Sequence, residues 1–225
     1  MPDENPGLYP TILRPLLRIF FRHLYHDQAW IYDIVANAVS LGKWFRWVEL
    51  PLDFILGSRI LELGCGTGHL TAKLMQRPEI TVAALDESAE MLQLTRQRLK
   101  EFGNASSSLV QGRAQALPWR DSSFDTVIAT FPTEFISEDA TLRGMYRVLA
   151  RGGRLIVLPA AWLSVRKPLQ QLSAALFTAT RQVTPSPEAP IVARLAGPLE
   201  NLGFSVSLHR IEVRGSTALL ISADK

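Results

Sequence analysis

One cysteine in 225 residues, Cys65, excludes an internal disulfide and any cysteine-rich zinc site, and makes a reducing compartment the expected setting. The four histidines, His23, His26, His69 and His209, have no spacing that would gather them round a metal ion. A strong excess of one charge sign is missing: with 24 basic and 21 acidic residues the net charge of +3 is a mild bias, so nucleic acid is not indicated as a partner. No uninterrupted apolar run approaches the roughly 18 residues of a membrane span, and no N-terminal stretch has the basic, apolar, small-residue order of a secretory signal. Internal repeats and low-complexity tracts are also missing. These absences predict a soluble, cytoplasmic chain. With 47% hydrophobic and 20% charged residues, it has the size of one medium α/β domain with additions, and it can bury a full core without staples.

What is present is concentrated between residues 59 and 68, Arg-Ile-Leu-Glu-Leu-Gly-Cys-Gly-Thr-Gly. An apolar run, Ile60 to Leu63, breaks into Gly64, Gly66 and Gly68, and the following His69 to Met75 carries apolar residues at helical spacing. The order is strand, glycine turn, helix. Glycine without a Cβ lets a flat cofactor lie against bare backbone, and Glu62 puts a carboxylate at the strand's end. A dinucleotide turn, Gly-x-Gly-x-x-Gly, would need its third glycine at His69, or at Thr71 if counted from Gly66. Neither position fits.

From Arg59 onward strands and helices alternate, which predicts a parallel sheet with helices on both faces. Strands are expected at 81–85 (ending in Asp86), 107–111, 124–130, 154–158, 204–213 and 217–223. The last two form a hairpin through Arg214-Gly215-Ser216. Helices are expected over 88–102, 139–149 and 191–202. Residues 160–184 read as an extra, mostly helical segment, and Pro185 to Pro190 as a stiff linker. Ahead of the core, residues 13–53 read as helical and aromatic-rich, with Trp30, Tyr32, Trp44, Phe45 and Trp47.

The acid-x-Gly-x-Gly-x-Gly pattern, with Asp86 placed 22 positions after Gly64, resembles the class I S-adenosylmethionine-dependent methyltransferases, in their small-molecule and quinone-biosynthesis branch. That cofactor carries an ammonium and a sulfonium instead of a pyrophosphate, so an acid beside the glycines makes electrostatic sense. The resemblance covers Arg59 to Leu158 well, the C-terminal hairpin loosely and the N-terminal helices hardly at all. It implies a Rossmann-like three-layer sandwich whose mostly parallel seven-stranded sheet ends in an antiparallel hairpin. Residues 1–56 would be an N-terminal helical cap and residues 57–225 the methyltransferase core.

The same resemblance implies that S-adenosyl-L-methionine is held by Glu62, Gly64, Cys65, Gly66, Gly68, Asp86, Glu87, Arg113, Ala114, Leu117 and Thr130. Asp86 would take the ribose hydroxyls and the loop from Gly112 to Trp119 the adenine edge. Two positions depart from the family pattern. Glu87 stands where an apolar residue usually covers an adenine face, and Arg113 where an acid usually accepts from the adenine amino group, which a guanidinium cannot do. Asp125 reads as structural, and Cys65 as a small buried residue. The turn Thr130-Phe131-Pro132-Thr133-Glu134-Phe135 makes the methyl end an apolar site rimmed by Glu134, without the signature of nucleobase amino methylation.

The expected activity is in-line transfer of the sulfonium methyl to an apolar or aromatic small molecule, lipophilic in character. No single base stands out; His23, His26, Asp27, Tyr32 and Asp33 are the candidates, and Trp30, Tyr32, Trp162, Leu163 and Phe177 could line an acceptor pocket. Arg14, Arg18 and Arg22 fall on one face of an amphipathic stretch over residues 13–24. It suits weak peripheral contact with a membrane or, the preferred reading, a cap over the cofactor domain. A nicotinamide-dependent oxidoreductase and a non-catalytic cofactor-binding module remain as alternatives.

Overall fold

The computed structural model describes residues 29–100, 107–163 and 188–225. Two helices come first, α1 (Ala29–Val39) and α2 (Trp44–Glu49), joined by a tight turn and followed by a 3₁₀ turn over Leu50–Asp53. Then follow β1 (Arg59–Leu63), α3 (His69–Met75), β2 (Thr81–Asp86), α4 (Ala89–Lys100), β3 (Ser107–Gln111), β4 (Phe124–Thr130), α5 (Asp139–Val148), β5 (Leu149–Leu163), α6 (Glu188–Asn201), β6 (Ser205–Val213) and β7 (Ser216–Asp224). The seven strands form one sheet in the order β3-β2-β1-β4-β5-β7-β6. The first five are parallel, and β7 pairs antiparallel with both β5 and β6.

The central strands are apolar almost throughout because both faces are covered, and successive residues point to opposite faces. Leu61, Leu63, Val127, Ala129, Leu155 and Val157 join Met145 of α5 and Leu199 of α6 in one buried cluster. Ile60, Val82, Ile128 and Ile156 point the other way, to Trp47 of α2 and Leu70 and Leu74 of α3. Trp47 is fully buried, and its indole N–H donates to the Ser216 hydroxyl at 3.0 Å, so this large residue leaves no polar atom stranded. The chain runs from β1 out to β3 on one side and returns to β4 on the other. The carboxyl ends of β1 and β4 therefore flank the switch point, where open α/β sheets take their ligands.

Three boundaries differ from expectation, the first being that β5 opens at Leu149, paired with Phe124, and not at residue 154. The helical segment expected from residue 160 does not begin there: β5 continues to Leu163, because the nine-residue β7 offers Leu219 to Ser216 as partners for Ala160 to Leu163. The register shifts between Val157 and Ala160, at Pro159, which has no N–H to give the ladder. At the other end of that stretch, residues 188–190, expected as linker, open α6. Pro190 is tolerated in the first turn because its missing N–H would have no partner within the helix.

Candidate functional site at the glycine turn

The glycine turn is fastened to the end of β2. The N–H groups of Gly64 and Cys65 both donate to the Leu85 carbonyl, at 2.8 and 3.2 Å, and the Gly68 N–H donates to the Cys65 carbonyl at 2.9 Å. Gly64, Gly66 and Gly68 have φ of +71°, +54° and +77°, the left-handed region that favours glycine. Their surroundings separate them. A Cβ on Gly66 would meet nothing within 4 Å, and one on Gly64 only the Phe135 ring at 3.8 Å. A Cβ on Gly68 would lie 2.5 Å from Thr95 Cγ2. Gly64 and Gly66 thus present open backbone, whereas Gly68 is needed for the close packing of α4.

Two carboxylates border that backbone. Glu62 is 2% exposed and accepts the Thr71 hydroxyl at 2.5 Å. Burial pushes its carboxyl up to about 8, the Thr71 bond opposes the shift and the nearby Asp86 charge adds to it. Asp86 accepts the Gly66 N–H at 2.8 Å with one oxygen and the Ser88 N–H at 2.9 Å with the other. Burial raises its pKa as well, against the pull of those N–H bonds. A pair of partly desolvated acids beside bare backbone favours a ligand that brings positive charge and hydroxyl or amine donors. Cys65 is buried within the turn, its thiol pushed up by burial and by both acids, which makes it a packing residue and no nucleophile.

The two departures from the family pattern meet each other. Arg113, after β3, and Glu87, after β2, form an ion pair at 3.3 Å with side chains 67% and 71% exposed. The Glu87 stem does not pack into the cleft as its methylenes would allow. Ala114 is buried just inside this rim. Leu117 is buried in the core, 3.5 Å from where a Gly144 Cβ on α5 would be, and Thr130 is half-buried at the end of β4. Asp125 sits at the opposite, amino-terminal end of the parallel strands, where it accepts the N–H groups of Ser58 and Arg59 and pairs with the Arg59 guanidinium, which holds its pKa down at about 2.

The N-terminal helices are bolted to the same turn. Asp33 of α1 accepts the Thr67 hydroxyl at 2.8 Å and an Arg98 nitrogen at 2.7 Å, while Arg98 also donates to the Thr67 carbonyl at 2.9 Å. Asp33, a candidate base on sequence grounds, serves here as a strut between α1, the glycine turn and α4. Glu49 of α2 takes His69 at 2.8 Å and Lys73 at 3.4 Å. Of the other candidates, His23, His26, Asp27 and Phe177 lie outside the described residues, as does the amphipathic stretch 13–24. Trp30 and Tyr32 fall in the first turn of α1, whose side chains are likewise outside them. Trp162 and Leu163 close β5, Leu163 buried in the α2 and α3 cluster and Trp162 beneath the Arg210 guanidinium, 5.9 Å from its ring centroid. Thr67, Thr71, Thr95 and Arg98 were not singled out from sequence. Thr67 and Thr71 carried a signal in their nearness to the glycines; Thr95 and Arg98, both on α4, carried none.

Residues 60–153 match the family described as a methyltransferase domain. The chain is 32% identical over 211 residues to the ubiquinone/menaquinone biosynthesis C-methyltransferase UbiE of Escherichia coli strain K12/DH10B, a match covering 89% of this chain and 81% of that one. Among solved structures, a SAM-dependent methyltransferase from Aquifex aeolicus is similar at 16% identity and TM-score 0.57, with 94% of this chain and 97% of that one covered. The cyclase SpnF is similar at 15% identity and TM-score 0.63, covering 93% and 95%. At such identities the structural likeness speaks for the fold alone, and the presence of a cyclase is a reminder that one fold hosts several reactions.

Proposed function

Because the chain belongs to the class I S-adenosylmethionine-dependent methyltransferases, of the quinone-biosynthesis type, we propose that its acceptor is a lipophilic quinol-like ring and that the methyl goes to a ring carbon. The residues at the switch point fit the cofactor: the open backbone at Gly64 and Gly66 is the cradle a Cβ would fill, flanked by Glu62 and Asp86. Bound there, S-adenosylmethionine supplies a methyl group on a sulfonium, ready for in-line displacement. Glu62 answers the ammonium, Asp86 the ribose hydroxyls, and the Ala114 N–H the adenine edge. Gly68 and Cys65 hold the turn's shape, and Leu117 backs the loop from the core.

The acceptor lies against the turn that leaves β4, Thr130 to Phe135. The turn's partly exposed apolar residues, Pro132 and Phe135, suit a reaction in which positive charge is dispersed as the methyl leaves sulfur, with Thr133 and Glu134 at the rim. The chain's contribution is then orientation and exclusion of water. The observation that carries the cofactor assignment is the bare Gly64 and Gly66 backbone between two buried or half-buried acids. The acceptor class rests on the 32% identity to a ubiquinone/menaquinone biosynthesis C-methyltransferase. No described helix is long and apolar enough to cross a membrane; a lipophilic acceptor would favour peripheral contact, for which residues 13–24 are the candidate.

Calorimetry with S-adenosylhomocysteine tests the cofactor site, with micromolar-range binding expected and none in Gly66→Val. Incubation with radiolabelled S-adenosylmethionine and 1,4-naphthoquinol tests the acceptor class. Label on a ring carbon is the expected product; label on oxygen, or none with a quinol but turnover of a non-quinol, would replace the acceptor reading while leaving the cofactor site standing.

A further inference from the structure

Phe131 breaks the pleat of the sheet. Along β4, Val127 and Ala129 pack toward α5 and α6 and Ile128 toward α2 and α3, so strict alternation would send residue 131 to the α5 face. Instead Phe131 has φ +46° and is buried in the α2 and α3 cluster. Its ring stacks on Trp44 of α2, with centroids 4.7 Å apart and planes 26° apart, and lies 6.3 Å from Trp47. Its N–H donates to the Leu158 carbonyl at 2.7 Å, which fixes the point where the chain leaves the ladder.

A bulky side chain in the left-handed region is strained, and burial of the ring with its stack on Trp44 offsets that strain. Glycine would take that φ freely. A phenylalanine held there is explained by what the ring fixes. Four residues on, Phe135 packs with the opposite cluster, and its Cζ lies 3.8 Å from the Cβ position of Gly64. The turn therefore crosses the open end of the sheet, anchored at one end in the helical cap and at the other beside bare glycine.

We infer that Phe131 is a positioning residue for methyl transfer: its left-handed backbone and its stack on Trp44 fix the Pro132 to Phe135 turn as the wall against which the acceptor lies. The inference rests on the acceptor site proposed at the end of β4. It also gives α2 a part in the reaction, since the stacking partner belongs to the cap.

The test uses Phe131→Gly, which keeps the φ and removes the ring, Phe131→Tyr and Trp44→Phe, which keep a stacked pair, and Trp44→Leu, which removes the partner from the other side. With radiolabelled cofactor and 1,4-naphthoquinol, Phe131→Gly and Trp44→Leu should lower kcat about tenfold or more, with the S-adenosylhomocysteine Kd changed less than about threefold, a factor worth under 0.7 kcal/mol. Phe131→Tyr and Trp44→Phe should keep kcat within about threefold of wild type. Hydrogen exchange is read on the same proteins saturated with S-adenosylhomocysteine, independently of any acceptor: residues 131–137 should lose protection in Phe131→Gly and Trp44→Leu and keep it in the conservative pair. Unchanged kcat in folded Phe131→Gly overturns the inference, as does unchanged protection. If the wild-type protein does not turn over the quinol, the acceptor reading fails and the exchange result alone decides the role of Phe131.

Discussion

Asp33 and Arg98 meet at 2.7 Å across Thr67, so that the first described helix and α4 clasp the glycine turn from two sides. The pair is mostly buried, with side chains 12% and 29% exposed. Hydrogen bonds to charged groups at such sites are worth about 1.5–3 kcal/mol, and removal of one partner leaves the other charge uncompensated. Asp33→Ala should therefore lower the unfolding free energy by about 2–3 kcal/mol, measured by urea denaturation. It should also weaken S-adenosylhomocysteine binding through a looser turn. A strut has no proton to exchange during the reaction, so the pH dependence of kcat in Asp33→Asn should keep its shape. A missing limb in that profile would return Asp33 to the role of base.

Gly66 and Gly68 should fail in different ways. At Gly68 an added Cβ would collide with Thr95 at 2.5 Å while also straining φ at +77°, so Gly68→Ala should lower Tm by several degrees. At Gly66 the space is open and φ is +54°, leaving only a backbone penalty of about 1 kcal/mol. Gly66→Ala should stay folded, with a small fall in Tm, and lose about tenfold or more in affinity for S-adenosylhomocysteine. Thermal melting beside calorimetry separates the two, and equal loss of stability in both would contradict the division of labour.

The glycine turn and its acids were legible because their chemistry is local: glycines at alternate positions after an apolar strand admit few conformations. The parallel sheet followed from strands alternating with helices and the seven-stranded arrangement from the family resemblance, whereas the strand order came from the structure. The end of β5 was not legible, because Pro159 reads as a stop, and only the length of β7 reveals that pairing resumes beyond it. The strut was hidden for a similar reason. Asp33, Thr67 and Arg98 lie on three separate elements, and no periodicity within any one of them marks the contact. Phe131 was visible only as an apolar residue after a strand, since the sign of φ is set by its stack on a helix placed some 80 residues earlier in the sequence.

The Glu62 carboxyl should couple both folding and cofactor binding to pH. Its folded value of about 8 lies above its ordinary value of 4.5. Between those limits the folded chain holds a proton that the unfolded chain has lost. Stability contributed by the neutral form is thus full below about pH 4.5 and is lost as pH rises toward 8. Glu62→Gln keeps an acceptor for the Thr71 hydroxyl and cannot ionise, so the ligand-free variant should be more stable than wild type at pH 8, with a flatter profile. A cofactor ammonium beside Glu62 favours the ionised form, so S-adenosylhomocysteine binding at pH 7 should release a proton. Calorimetry in buffers of different ionisation enthalpy reads that release directly. Identical heats in all buffers would mean that the ammonium is answered elsewhere.

The Glu87–Arg113 pair should matter for recognition and hardly at all for stability. Both side chains are about two-thirds exposed and 3.3 Å apart, a geometry in which solvent screens most of the attraction. Alanine at either position should change the unfolding free energy by no more than about 0.5 kcal/mol, and the double mutant should show coupling of the same small size. Recognition follows a different logic. A guanidinium at the proposed adenine rim has donors only, as does the adenine amino group, so the two cannot pair. Arg113→Asp supplies an acceptor where Arg113→Ala supplies none, although it also places a second carboxylate beside Glu87. In the Glu87→Ala background that repulsion is gone. There Arg113→Asp should bind S-adenosylhomocysteine several-fold more tightly than Arg113→Ala, a difference of about 1 kcal/mol for one added hydrogen bond. Equal affinities would place the adenine amino group away from residue 113, against the backbone of the loop.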